Sequence, residues 1–177
     1  MRANGSLGCE ARPVGCSRDY PKIPRYQSEG WRVIPSYHAG YVVDASVLVK
    51  WFVEEEDRDR ALALRQLHTS RRSAVFVFEL TFLEILNAIR YGPKSNEEDG
   101  SEALHILQDL RLQVKPTDFD LLRKANAIAW AYKITIYDAL YVALAEQVGH
   151  PLITADEVMV KKLKGHSIVV PLRELEF

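Results

Sequence analysis

Tyr41-Val42-Val43-Asp44-Ala45-Ser46-Val47-Leu48-Val49-Lys50 is where this chain begins to read as a fold. Tyr41, Val42 and Val43 make a short buried-strand signal, and Asp44-Ala45-Ser46 reads as a turn into a helix start. From there strands and helices alternate. A helix over 47–53 is broken by Glu54-Glu55-Glu56-Asp57, and Ala61, Leu62, Leu64 and Leu67 carry a second. A strand is predicted over 74–77, then a strongly apolar helix over 79–91 that stops at Gly92-Pro93. The stretch 94–100 reads as a loop. Ala103, Leu104, Leu107 and Leu110 then recur at helical spacing. A short strand over 112–114 ends near Pro116, helices follow over 119–133 and 137–148, then a strand over 152–153, a helix over 156–163 and a last strand over 168–170. This alternation predicts an α/β fold with a mainly parallel central sheet, in which ligands usually sit at the carboxyl ends of the strands.

Upstream of Tyr41 the composition changes. The first 40 residues hold five of the nine Gly, four of the eight Pro and both cysteines, Cys9 and Cys16. They carry six Lys/Arg against three Asp/Glu, a net of +3, whereas residues 41–177 carry 17 against 21, a net of −4. The overall charge of −1 therefore averages a basic arm and an acidic domain. Pro13, Pro21, Pro24 and Pro35 interrupt any element in the arm. Residues 1–40 are expected to be a disordered extension or a stretch translated upstream of the true start, and 41–177 the folded domain. Two cysteines without a second pair argue against a zinc site. No apolar run approaches the roughly 20 residues of a membrane span, and no secretory signal is evident, so a cytoplasmic protein without membrane contact is expected.

Four acids stand out in the domain. Asp44 and Asp156 each follow a strand end, where Asp also serves well as a helix N-cap. Glu84 forms a narrow polar stripe with Thr81 and Asn87 on a helix whose Phe82, Leu83, Ile85, Leu86 and Ile89 leave little room for a solvated face. That stripe is expected to face a wet cleft. Asp138 is the sole charge in 137–145, although Thr135 and Asp138 also have the spacing of a capping box. Each signal is weak alone. Together they put two acids at strand ends and two on apolar helices, where an α/β sheet could converge them. Clustered carboxylates repel and persist with shared protons or bound metal. An all-oxygen set suits Mg²⁺ or Mn²⁺, ions that commonly serve phosphate chemistry.

The same residues carry a resemblance. The run 43–52, Val-Asp-Ala-Ser-Val-Leu-Val-Lys-Trp-Phe, resembles the opening of PIN-domain ribonucleases, specifically VapC-type toxins of toxin–antitoxin pairs. Glu84-Ile85-Leu86-Asn87-Ala88-Ile89 is similar to their second motif, Thr135-Ile136-Tyr137-Asp138-Ala139-Leu140-Tyr141 to their third, and Leu152-Ile153-Thr154-Ala155-Asp156 to their fourth. The resemblance covers about 41–177. It implies a PIN-like three-layer sandwich and a metal-dependent endoribonuclease, with Asp44, Glu84, Asp138 and Asp156 holding one or two Mg²⁺ or Mn²⁺. By the same resemblance Ser46 and Thr154 support the site, and Asn87 orients Glu84 or a bound water. A metal-activated water would attack an RNA phosphodiester and leave 5′-phosphate and 3′-hydroxyl ends. The resemblance further implies a homodimer held inactive by a VapB-like antitoxin. Among the cations, Lys50 is singled out as a phosphate contact because it follows the first motif closely, while Trp51 is assigned to the core.

Other chemistries fit less well. A haloacid-dehalogenase-like phosphatase needs a second acid two residues after Asp44, where Ser46 stands; a serine hydrolase needs a Gly-x-Ser-x-Gly elbow that the chain lacks. The alternatives to a toxin nuclease are a catalytically silent PIN-like module that holds RNA or a protein, and a PIN nuclease of RNA processing.

Overall fold

The computed structural model describes residues 40–93 and 95–177. The expectations for the arm, Cys9 and Cys16 included, lie outside the described residues. Among the described residues five strands form one sheet: β1 (Gly40–Val43), β2 (Ala74–Phe78), β3 (Gln113–Lys115), β4 (Leu152–Thr154) and β5 (Val169–Pro171). Their order is β3-β2-β1-β4-β5, and every pairing is parallel. Parallel strands paired on both edges and covered on both faces need continuous apolar sequence. That explains why β1, at the centre, is buried at all four residues while the edge strand β3 leaves Gln113 and Val114 exposed.

Among the described residues seven α-helices cover the sheet: α1 (Ala45–Leu48), α2 (Arg58–Thr69), α3 (Glu79–Arg90), α4 (Glu97–Leu110), α5 (Phe119–Tyr132), α6 (Ile136–Val148) and α7 (Glu157–Lys162). Alternating residues of each strand feed two cores. Tyr41, Val43, Val75, Val77 and Ile153 pack with α1 to α4 on one side. Val42, Phe78 and Leu152 pack with α5, α6 and α7 on the other. The described residues form a three-layer α/β/α sandwich: the alternation predicted the α/β class and parallel sheet, and the family resemblance implied the three layers. Helix α6 lies deepest, with Ala139 to Ala145 buried without a break. Each Leu or Val so enclosed contributes about 1.5–3 kcal/mol of transfer free energy.

Two boundaries depart from expectation. The helix predicted over 47–53 ends at Leu48 and continues as a 3₁₀ turn, Val49–Trp51, which leaves Trp51 buried with its Nε1 donating to Ala61 O at 2.8 Å. Helix α4 starts inside the stretch expected to be a loop. Asn96 and Asp99 exchange side-chain and backbone hydrogen bonds at 2.8 and 3.1 Å, a capping box whose three acids, Glu97, Glu98 and Asp99, also favour a helix N-terminus.

The strand order sets the position of any site. The chain runs outward from β1 through β2 to β3, then returns to place β4 against the other edge of β1. Between β1 and β4 the connections leave in opposite directions, and the crevice beyond such a switch point is where open α/β sheets hold ligands.

Candidate active site

Asp44 and Asp156 follow the two strands of the switch point. Asp44 extends the register beyond β1, its N–H donating to Ile153 O at 3.0 Å, and its carbonyl accepts the first helical bonds from Val47 and Leu48. Asp44 as a residue is 9% exposed. Ser46 Oγ donates to Asp44 Oδ2 at 2.6 Å, and Thr154 Oγ1 donates to the same oxygen at 2.7 Å. Each hydroxyl has one proton, so both protons are committed to Asp44. The hydroxyl oxygens in turn accept from the next loop: Ala155 N–H meets Ser46 Oγ and Asp156 N–H meets Thr154 Oγ1, each at 3.0 Å. The carboxylate thus ties the ends of β1 and β4 together, and Ser46 and Thr154 stand in direct contact with it.

Glu84 reaches the same crevice from α3. It is half-buried, and its Oε2 accepts from Tyr141 OH at 2.7 Å. Asp138 opens α6, where it exchanges capping contacts with Thr135 at 3.1 and 3.4 Å. Burial pushes the Asp44 carboxyl above the ordinary range; the two hydroxyls oppose the rise, and the negative charge of Asp138 adds to it. Burial likewise pushes Glu84 up, the Tyr141 bond opposes it, and the charges of Asp44 and Asp138 raise it further. These effects place Asp44, Glu84 and Asp138 within electrostatic reach of one another.

Asp156 behaves differently. Its Oδ1 accepts from Val158 N–H at 2.7 Å and Met159 N–H at 3.0 Å, so it caps α7. The capping role that the sequence left open for it is filled. Asn87 is exposed, and among the described residues no hydrogen bond joins it to Glu84; the partner of Glu84 is Tyr141. The polar stripe on α3 is also less enclosed than expected. Thr81 is fully buried, but Leu83 is 59% exposed: Thr81, Ile85 and Ile89 recur every four residues as the buried face of α3, and Leu83 and Asn87 lie on its outer face. Asp138 is not a lone buried charge either, since Ile136 and Tyr137 beside it are exposed and burial of α6 begins at Ala139. The costly buried acid is Asp44.

Lys50 is buried, its Nζ bound to Glu55 Oε2 at 2.9 Å, so a phosphate would have to displace that carboxylate. With Asp57, Thr154, Glu157 and Arg173 it lines a cleft of about 270 Å³ beside the site.

The donor set fits a hard divalent cation. Asp44 and Glu84 are acids whose charged forms burial disfavours, all offered atoms are oxygen, and among the described residues no ion pair engages any of the four acids. Among the described residues, however, no three His, Cys, Asp or Glu side chains already converge as a ligating group. Glu84 leans on Tyr141, Asp138 on Thr135 and Asp156 on α7, so binding requires some of these side chains to turn.

Residues 41–164 match the family model described as PIN domain. The chain belongs to the PIN-domain family. Ribonuclease VapC3 of Pyrobaculum aerophilum is 30% identical to this PIN protein over 125 residues, which cover 68% of this chain and 92% of that one. Among solved structures, a toxin–antitoxin complex from Klebsiella pneumoniae matches with a TM-score of 0.56 at 20% identity, over 77% of this chain and 99% of the other. VapBC2 from Rickettsia felis, bound to a DNA fragment from their promoter, matches with a TM-score of 0.55 at 14% identity, over 75% and 98%. At such identities the structures speak for the PIN fold.

Tyr141 was visible in the sequence only as part of a motif. Its signal was its place three residues after Asp138, on the same face of α6.

Proposed function

We propose that this PIN protein is a divalent-metal-dependent endoribonuclease and the toxin of a VapBC-like pair. The observation that carries the reading is Asp44: a buried carboxyl at the switch point, held by Ser46 and Thr154, pushed above its ordinary range by burial and further by the charge of Asp138, with no cation paired to it among the described residues. The VapC3 relative, a ribonuclease by name, supports the substrate class.

In this reading Asp44, Glu84 and Asp138 hold Mg²⁺ or Mn²⁺, and Asp156 joins them through the oxygen not used to cap α7. Such an ion lowers the pKa of a water and offsets charge that builds on a phosphate. The chain's own residues supply the framework. Ser46 and Thr154 fix the Asp44 rotamer by directed hydroxyl protons. The domain is residues 41–177, with 1–40 as an added arm. RNA would lie across the carboxyl ends of β1 and β4, with Lys50 reaching phosphate only after leaving Glu55, and Asn87 at the exposed end of the α3 stripe.

Exposed Trp130 on α5 and Tyr137 on α6, 78% and 59% accessible, would offer apolar contacts to the proposed homodimer partner or VapB-like antitoxin. No helix among the described residues is long and apolar enough to cross a membrane; a cytoplasmic location is part of the proposal. One observation favours the catalytically silent reading: the acids are not already gathered around one point. Mapping cleavage sites in total cellular RNA, with and without divalent metal, separates the two.

A further inference from the structure

We propose that Tyr141 is a positioning residue for Glu84, and that Thr81 sets the direction of its proton. This rests on the metal-site reading above and adds a residue to it.

Three bonds form a dry relay. Phe78 N–H donates to Thr81 Oγ1 at 3.3 Å, Thr81 Oγ1 and Tyr141 OH are 2.8 Å apart, and Tyr141 OH donates to Glu84 Oε2 at 2.7 Å. Phe78 and Tyr141 are each 2% exposed and Thr81 is 0% exposed, so bulk water is kept from the links behind the half-buried Glu84. Proton counting fixes the polarity. The phenol has one proton, and toward an ionised Glu84 it goes to the carboxylate. The Tyr141 oxygen must then accept, and its neighbour is Thr81. The Thr81 oxygen already accepts from Phe78 N–H, which leaves its own proton for Tyr141. Each group donates forward and accepts from behind, and the run ends on the one member without a proton.

Thr81 has an ordinary task, since its contact with Phe78 N–H caps the start of α3. Capping uses its acceptor and not its proton, and the proton is what reaches Tyr141. The ring is held independently, because Phe78 and Tyr141 pack edge to face with centroids 5.6 Å apart. Ring packing fixes where the phenol oxygen stands, and Thr81 fixes which way its proton points. The result is a carboxylate with one oxygen, Oε2, anchored to α6, which would leave Oε1 the freer ligand for a cation. Asp138 and Tyr141, three residues apart on α6, then couple two ligands through one helix face. Hydrogen-bonded partners of ligating carboxylates typically change metal affinity 10–100-fold when removed.

The test is Mn²⁺ affinity of the full chain, measured by calorimetry after chelator treatment. Tyr141→Phe removes the oxygen and keeps the ring. It is expected to weaken Mn²⁺ binding about 10-fold. Thr81→Val is expected to weaken it several-fold, and Thr81→Ser, which keeps the hydroxyl, to restore wild-type affinity. Thermal melts in EDTA check that each variant is folded, and should Tyr141→Phe not fold, the Thr81 pair decides. Wild-type affinity in Tyr141→Phe, or equal affinity in Thr81→Val and Thr81→Ser, overturns the inference while Asp138→Asn still loses Mn²⁺. If Asp138→Asn binds Mn²⁺ as wild type does, or wild type binds none, the metal site itself is wrong and the relay has no such task.

Discussion

Asp44→Asn should stabilise the metal-free protein while removing its response to metal. Both hydroxyls that reach Asp44 converge on Oδ2, from Ser46 at 2.6 Å and Thr154 at 2.7 Å. An asparagine with its carbonyl oxygen in that place keeps both bonds. It loses their charge assistance, which roughly halves their strength. It also removes a buried charge and its repulsion with Asp138. The direction of the Asp44 shift is upward after the hydroxyl bonds have been counted, so neutralising this side chain favours the folded state on balance. We expect a gain of about 1 kcal/mol, the scale at which functional-site groups are traded against stability. At about 2.1 cal/mol/K of unfolding entropy per residue, that raises the Tm by about 3 °C in a fold of this size. In Mn²⁺ at about 100 times its Kd, wild type gains about 2.7 kcal/mol and the variant gains little, so the order of the two melting temperatures reverses. Differential scanning fluorimetry at pH 7.5, in EDTA and across an Mn²⁺ series, reads this directly. A variant less stable than wild type in EDTA by 1 kcal/mol or more would show that the protein itself satisfies the Asp44 charge. Equal Mn²⁺ stabilisation of both would show that Asp44 does not bind the ion.

Asp156 offers a separation of roles: Asp156→Ala should lose about 1 kcal/mol with its α7 cap, whereas Asp156→Asn should keep that stability, and loss of RNA cleavage in both would assign the acid a charge-dependent role. Cleavage retained in Asp156→Asn would leave it as a cap alone. A pH dependence follows from Glu146. His166 Nε2 approaches its Oε1 to 3.2 Å, off the hydrogen-bonding line, and Lys124 reaches Oε2 at 2.9 Å. The His166 contact, followed by Lys124, holds the Glu146 carboxyl below its ordinary range against the opposing effect of burial. A depressed folded pKa gives stability that is present above about pH 4.3, the ordinary glutamate value, and lost as pH falls below it. Wild type should therefore exceed Glu146→Gln by about 1 kcal/mol at pH 7, with the difference closing toward pH 3 in urea melts; a constant difference would contradict the assignment.

Much of this fold was legible in local pattern. The strand–helix alternation from Tyr41 onward follows from apolar runs and capping residues, and the resemblance of four motifs named the family that residues 41–164 match. The strand order was not legible, because spacing along the chain does not say that β4 lies against β1, and that adjacency makes the switch point. The start of α4 was missed because Asn96 and Gly100 read as loop residues while the Asn96–Asp99 capping box reads as a helix start. At the site, the burial argument attached to Asp138 belongs to Asp44. Sequence shows which residues are apolar, but which turn of a helix surfaces depends on where the helix ends, and α6 surfaces at Ile136 and Tyr137. The support expected of Asn87 comes to Glu84 from Tyr141, a residue 57 positions away on a helix of the other core, which only the tertiary fold brings near.

The central claim is that these acids hold a divalent ion that cuts RNA. The most direct measurement incubates purified protein with total cellular RNA in Mn²⁺, in EDTA, and in Mn²⁺ with Asp138→Asn, and sequences the product ends. The account predicts discrete cuts with 5′-phosphate ends in the first reaction and none in the other two, with the variant still folded. Cuts of equal rate in EDTA, or in the variant at saturating Mn²⁺, would contradict it, and intact RNA in all three would make the chain a silent PIN module.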